Sequence, residues 1–181
     1  AENCLAQSLD RALEQTISPD EVVVINDGST DGTGDVARGY GERIVYLEQE
    51  NAGQGAARNR GLTVATGDLI AFLDSDDYWH PEFLERCVGF LQSHPEAVAV
   101  NTGLLTRLQD GRELLQPALL TGPDAPTEAS MVDDFYAFWA EHDHVRTGSV
   151  VIRKSAIDEA GGQRADLRVS QDLEYWEIGR A

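Results

Sequence analysis

Short apolar runs, each ending in a polar turn and followed by a segment with helical spacing, organise the first hundred residues. Val22, Val23, Val24 and Ile25 lead into Asn26 without a polar break, the pattern of a strand buried on both faces. Residues 43–47 and 69–73 repeat it. Before the first strand, Leu5, Leu9, Ala12 and Leu13 fall on one face of a helix predicted over residues 3–15. Asp27, Gly28, Ser29 and Thr30 predict a turn entering a short helix. A glycine-containing loop over residues 51–55 precedes a helix through Ala65, and Pro81 takes the favoured first position of a helix reaching Leu91. Strand–helix units of this length predict an α/β fold whose mostly parallel sheet is flanked by helices on both faces.

The pattern changes past residue 97. Residues 98–108 and 113–115 flank Asp110 and Gly111, a short-hairpin signal. Residues 117–127 predict a loop. A helix over residues 132–140 carries Phe135, Phe138 and Trp139 as an apolar face for core packing. A strand over 148–152 and a helix over 155–160, stopped by Gly161 and Gly162, come next. Ser170 is placed to cap a last helix that carries Asp172. The second half is therefore mixed, and 181 residues suit one domain.

Charge narrows the partners. The chain carries 14 basic and 32 acidic side chains, a formal charge of -18. Such a surface repels nucleic acid and anionic lipid, so any bound phosphate is held locally by a metal, an Arg or backbone N–H groups. Cys4 and Cys87 have no close pairing and no zinc spacing, as expected of idle thiols in a reducing compartment. No apolar stretch approaches membrane-spanning length.

The densest chemistry follows the strand at 69–73, where Asp74, Ser75, Asp76 and Asp77 place three carboxylates in four positions. Carboxylates so close repel one another and either rise in pKa or share a cation. A hard divalent ion such as Mg²⁺ or Mn²⁺ takes such ligands and leaves places for phosphates. The alternative is a polar loop that caps the helix at Pro81. Asp27, ending its own strand, either accepts from a base N–H or closes an Asx turn with Gly28. In the loop opening at Asn51, Gly53 and Gly55 permit close backbone approach, and Arg58 either presents its guanidinium to a diphosphate or lies on a solvent face. Gly53, Gly55 and the acid at 74 also imitate a dinucleotide fingerprint, the mark of a dinucleotide-dependent oxidoreductase. Arg58 stands where its third glycine belongs, and the acid is one of a triplet. An aspartate-based phosphohydrolase would want Thr or Val soon after Asp74 and Asp76, where Asp77, Tyr78 and Trp79 stand.

Residues 3–15, 22–33, 51–61, 69–83 and 147–176 together resemble a family 2 glycosyltransferase with a GT-A fold, of the bacterial or archaeal cell-envelope type. The segments VVVINDGSTDGT, AARNRG and FLDSDDYWHPEFLE carry the resemblance as a set. It implies an inverting transfer of a sugar from a nucleotide donor, a UDP-sugar favoured, to a hydroxyl of a carbohydrate or lipid-linked acceptor. By resemblance, Asp27, Asn51, Arg58 and Asp74 contact the donor. Asp74 and Asp76 match the Asp-x-Asp motif that holds Mn²⁺ or Mg²⁺ against its diphosphate. Asp172, within Ser170–Trp176, matches the general base, although taken alone it reads as an acid at a helix N-terminus. His142 and His144 are left out of the site. The resemblance further implies a cytoplasmic location, peripheral to the inner membrane face, with residues 1–100 as nucleotide-binding half and 101–181 as acceptor-side half.

Two departures qualify it. The family opens on an apolar strand inside the sheet, and no such strand precedes residues 3–15 here, which leads us to expect a fragment with an open sheet edge. Gln171 stands where the family has Glu beside the base. Both motivate an alternative, a sugar-nucleotide-binding module without turnover.

Overall fold

The computed structural model describes residues 1–121, 123, 125–126, 128–132, 135–142 and 146–163. In chain order these form α1 (Leu5–Leu13), β1 (Val23–Asp27), α2 (Thr33–Arg38), β2 (Val45–Gln49), α3 (Gln54–Leu62), β3 (Leu69–Ala71) and α4 (Phe83–Ser93). The second half adds β4 (Ala99–Asn101), β5 (Leu104–Arg107), β6 (Glu113–Gln116), α5 (Phe135–His142), β7 (Val150–Arg153) and α6 (Lys154–Ala160). The α/β alternation expected from the apolar runs is present, with boundaries displaced by one to three residues. Residues 41–43, taken partly as strand, form a 3₁₀ turn, and β2 starts after it. The run at 98–108 divides into β4 and β5, and the latter makes the expected hairpin with β6, where Gly111 adopts a φ of 83°. The helix expected from Ser170, Gln171 and Asp172 lies outside the described residues.

β1 pairs in parallel with β2, Val23 opposite Val45. β7 lies antiparallel between β3 and β4, so those two strands run in one direction with β7 reversed between them. Val150, Val151 and Ile152 of this central strand are almost fully buried, because each face of the sheet is covered. Ile70, Val150 and Ile152 pack toward Ala156 and Ile157 of α6. Val151 points the other way, onto Phe83, Leu84, Cys87 and Leu91 of α4. Burial pushes the Cys87 thiol up to about 12, so it fills the core and is not a reactive thiolate. Leu5 and Leu9 of α1 join Ala37 and Ile44 beneath Val22 and Val24, while α3 packs on β1 from the opposite side.

A cleft of about 870 Å³ runs between β1 and β3. Residues 20–27 line one wall, residues 67–75 the other, and Leu62, Ala65, Leu84 and Val88 close its faces. Among the described residues β1 pairs only with β2 and β3 only with β7, so both strands turn an unpaired backbone edge toward this space. Ala1 lines the same cleft, its amine 2.7 Å from Asp31, four residues past the end of β1. Two unpaired edges and an aliphatic lining suit an added apolar strand. Adding six apolar, β-branched residues there is expected to raise Tm by roughly 5–10 °C in calorimetry, for a net gain of a few kcal/mol. The same extension carrying two Asp at cleft-facing positions is expected to lose that gain.

Candidate active site

The loops at the carboxyl ends of β1 and β3 are joined across the cleft by residues 51–58, and open α/β folds place their ligands at such strand ends. Past β3, the turn at Asp74–Asp77 is closed by Asp77 N–H donating to the Asp74 carbonyl at 3.1 Å. Helix α1 fixes it from below. Ser8, 4% exposed, donates through Oγ to the carbonyls of Asp77 (2.6 Å) and Ser75 (2.9 Å). Gln15 donates to the His80 carbonyl at 2.9 Å and accepts from Leu84 N–H at 3.0 Å. Trp79 stacks on Phe83 with ring centroids 4.7 Å apart, and its Nε1–H reaches the Gly148 carbonyl at 2.7 Å. The carboxylates thus sit on a turn with little freedom of its own. Ser8 and Gln15 were not among the expected site residues. Their signal was available in Ser8, a polar side chain at apolar-face spacing between Leu5 and Ala12.

Asp27 bonds away from the turn at Gly28, where Asn26 Oδ1 accepts from Ser29 N–H at 3.0 Å. Asp27 Oδ1 accepts from Gln49 Nε2 at 2.7 Å and Ala52 N–H at 2.9 Å, and its Oδ2 from Gly53 N–H at 2.8 Å. The carboxylate therefore shapes the loop that leads into α3, and one lone pair remains on Oδ2. Asn51 donates to the Asp27 carbonyl at 2.9 Å, and its backbone passes so close to Gly28 that a Cβ there would lie 2.7 Å from Asn51 N. Gly28 also has a φ of 73°, so both space and backbone conformation demand glycine.

Arg58, with its side chain 9% exposed, spans from α3 to the acidic turn. Its Nη2 pairs with Asp74 Oδ1 at 2.9 Å, where Gln54 Nε2 also donates at 3.2 Å. Its Nη1 lies 3.4 Å from Gln163 Oε1. The solvent-face alternative for Arg58 is thereby removed. Asp76 is exposed beside this pair. Partial burial raises the Asp77 carboxyl above its usual range, and the charges of Asp76 and Asp74 add to that shift.

Among the described residues no three His, Cys, Asp or Glu side chains converge as a preformed metal cage. Asp74 and Asp76 nonetheless fit a Mg²⁺- or Mn²⁺-type ion, which takes one or two carboxylates and completes its shell with substrate phosphates and water. The expected base Asp172 and its neighbour Gln171, with Asp143 and His144, lie outside the described residues. Asp27, Asn51, Arg58, Asp74 and Asp76 are brought to one edge.

Residues 1–157 match the model of Glycosyl transferase family 2. The glycosyltransferase GlyA of Streptococcus pneumoniae serotype 4 is 41% identical over 102 residues, which are 55% of this chain and 15% of that protein. TuaG of Bacillus subtilis strain 168, provisionally named for teichuronic acid biosynthesis, is 38% identical over 134 residues, 69% of this chain and 52% of that protein. The chain thus spans about half or less of the length of these relatives. Among solved structures, S. aureus TarS 1-349 in complex with UDP superposes with a TM-score of 0.70 at 23% identity, covering 98% of this chain and 51% of that one. A mannosyltransferase of Pyrobaculum calidifontis, in complex with GDP-Man and Mn²⁺, gives a TM-score of 0.67 at 22% identity, covering 98% and 48%. At these identities the structural likeness speaks for the fold. Among the described residues no helix is long and apolar enough to cross a membrane.

Proposed function

The chain belongs to glycosyl transferase family 2, and from that premise we propose that it moves a sugar, with inversion, from a nucleoside diphosphate donor to an acceptor hydroxyl. A UDP-sugar is the donor we favour, and the product is a polysaccharide or glycolipid of the cell envelope made at the cytoplasmic face of the membrane. TuaG's provisional place in teichuronic acid synthesis supports the envelope assignment. The observation that carries the reading is the pairing of Arg58 with Asp74 at 2.9 Å beside the loop shaped by Asp27. An arginine can grip a diphosphate, and carboxylates beside it can hold the divalent ion that neutralises the phosphates.

In this reading Arg58 donates to the diphosphate, and the remaining Asp27 lone pair and Asn51 face the base. Asp74 and Asp76 hold Mn²⁺ or Mg²⁺, which when bound stabilises the charge on the departing diphosphate. Asp172 takes the proton of the acceptor hydroxyl as its oxygen attacks the anomeric carbon. The new C–O bond forms while the anomeric carbon–oxygen bond to phosphate breaks, and the nucleoside diphosphate leaves with the bonding pair.

A screen of nucleotide sugars by thermal shift, with and without Mn²⁺, tests the reading. One donor is expected to raise Tm with metal present and to be consumed when acceptor is added. Stabilisation without consumption across acceptors would favour the binding module, and no stabilisation by any donor would remove the proposal.

A further inference from the structure

Gln163 follows the glycine pair that stops α6, and it is 3% exposed. Its main chain is held at both polar groups by one residue of α3. Asn59 Nδ2 donates to the Gln163 carbonyl at 2.8 Å, and Gln163 N–H donates to Asn59 Oδ1 at 2.7 Å. The approach is close enough that a Cβ on Gly162 would lie 2.7 Å from the Asn59 Oδ1 atom. The side chain then turns to Arg58, the residue before Asn59, and its Oε1 lies 3.4 Å from Nη1. Among the described residues its Nε2 is buried with no hydrogen-bond partner.

The amide orientation follows from chemistry. A guanidinium only donates, so the oxygen must face Arg58 and the NH₂ must face away. Leaving that NH₂ buried and unpaired costs stability, and a Met or Leu of similar size would avoid the cost. A Glu would bind Arg58 more strongly, but it would bury a charge and leave its second oxygen without a donor. What neither substitute supplies is an acceptor without charge. Among the described residues Arg58 has two anchors: Asp74, which neutralises it, and Gln163, which does not.

We infer that Gln163 is a positioning residue, holding the Arg58 guanidinium in place for a diphosphate while adding no negative charge of its own. The inference rests on the reading of this edge as a donor-diphosphate site. Were Asp74 to turn to a bound cation, Arg58 would lose its charged partner and keep the neutral one, and its charge would be free for phosphate oxygens. The link is also the place where α3, carrying the diphosphate-facing Arg, meets the chain that continues toward Asp172.

The test sets stability against binding. Gln163→Glu is nearly isosteric, keeps both backbone bonds to Asn59 and replaces the unpaired donor with a carboxylate oxygen; its stronger pair with Arg58 offsets the burial of the charge, so its Tm is expected to lie near that of the parent. Its affinity for inorganic pyrophosphate in Mn²⁺, measured by calorimetry, is expected to fall about tenfold, because a second carboxylate now offsets Arg58. Gln163→Met, which also removes the unpaired donor, is expected to hold its Tm and lose several-fold in the same titration through a less constrained Arg58. A structural role alone would move Tm and leave pyrophosphate untouched. Pyrophosphate affinity in Gln163→Glu equal to that of the parent would overturn the inference, as would a parent that binds no pyrophosphate. A parent that binds pyrophosphate but no nucleotide sugar would remove the donor reading and leave this inference standing. Nucleotide-sugar turnover with an unimpaired Gln163→Glu would do the reverse.

Discussion

Asp76→Asn is expected to melt within about 2 °C of the parent, the range of a surface substitution, and to transfer sugar about a hundredfold more slowly or worse, on the scale of a lost electrostatic stabiliser. The two halves of that expectation have different origins. Asp76 is exposed, so the fold asks little of it. Its proposed task is to share a divalent ion with Asp74 and the donor phosphates, and a neutral amide is a poor ligand for so hard a cation. Three carboxylates at one turn, with Asp77 already pushed upward in pKa by partial burial and by the other two, repel an anionic diphosphate unless a cation intervenes. In the parent, UDP and Mn²⁺ together should raise Tm by more than the sum of their separate effects, since each completes a site for the other. Asp76→Asn should show no such synergy, and undiminished synergy would remove the metal assignment. Asp74→Asn provides the contrast. It loses the same ligand but also strips the charged partner from an Arg whose side chain is 9% exposed, and should lower Tm by several degrees, for about 1–2 kcal/mol.

The acidic turn was legible because burial and chemistry change at one point in the sequence. Residues 69–73 are uniformly apolar and residues 74–77 nearly uniformly acidic, so a strand end and a polar edge were implied together. Only Leu69–Ala71 pairs as strand; Phe72 packs against the core beside α6, and Phe72 and Leu73 both line the cleft. The order of strands was not legible in the same way. An apolar run such as Val150–Ile152 announces burial on both faces, but buried strands look alike in either direction, and β7 proves antiparallel to both neighbours. Asp27 shows the limit at the level of one residue. Its position at a strand end was plain, while its bonds to Ala52 and Gly53 cross 25 and 26 residues and depend on how the next loop folds back. Gln163 lies farther still, 105 residues from the guanidinium it contacts, and nothing in its neighbourhood distinguishes it from a polar loop residue. Local patterns reveal elements and their ends; partnerships across elements belong to tertiary structure.

Asp172→Asn is expected to reduce transfer at least about a hundredfold, the usual scale for a lost general base, with donor KM and Mn²⁺ binding unchanged. The expectation follows from the proposed role of Asp172 as general base and from the chemistry of the attack. A hydroxyl is a weak nucleophile until its proton is accepted, and that demand exists only as the new bond forms. A residue serving it contributes to the transition state and not to the ground-state complex, so its removal lowers kcat and leaves donor binding intact. The substitution is nearly isosteric and removes one negative charge, which on a chain of formal charge -18 should not destabilise the fold. A structural role for Asp172 at a helix N-terminus predicts a different signature, with Tm reduced and kcat and KM affected together. Gln171→Glu adds a companion measurement. If the neutral residue beside the base limits the enzyme, restoring a carboxylate should raise kcat and shift the acidic limb of its pH profile. Unchanged rates would mean that Asp172 works without help from position 171. Transfer by Asp172→Asn at the parent's rate would remove the base assignment altogether.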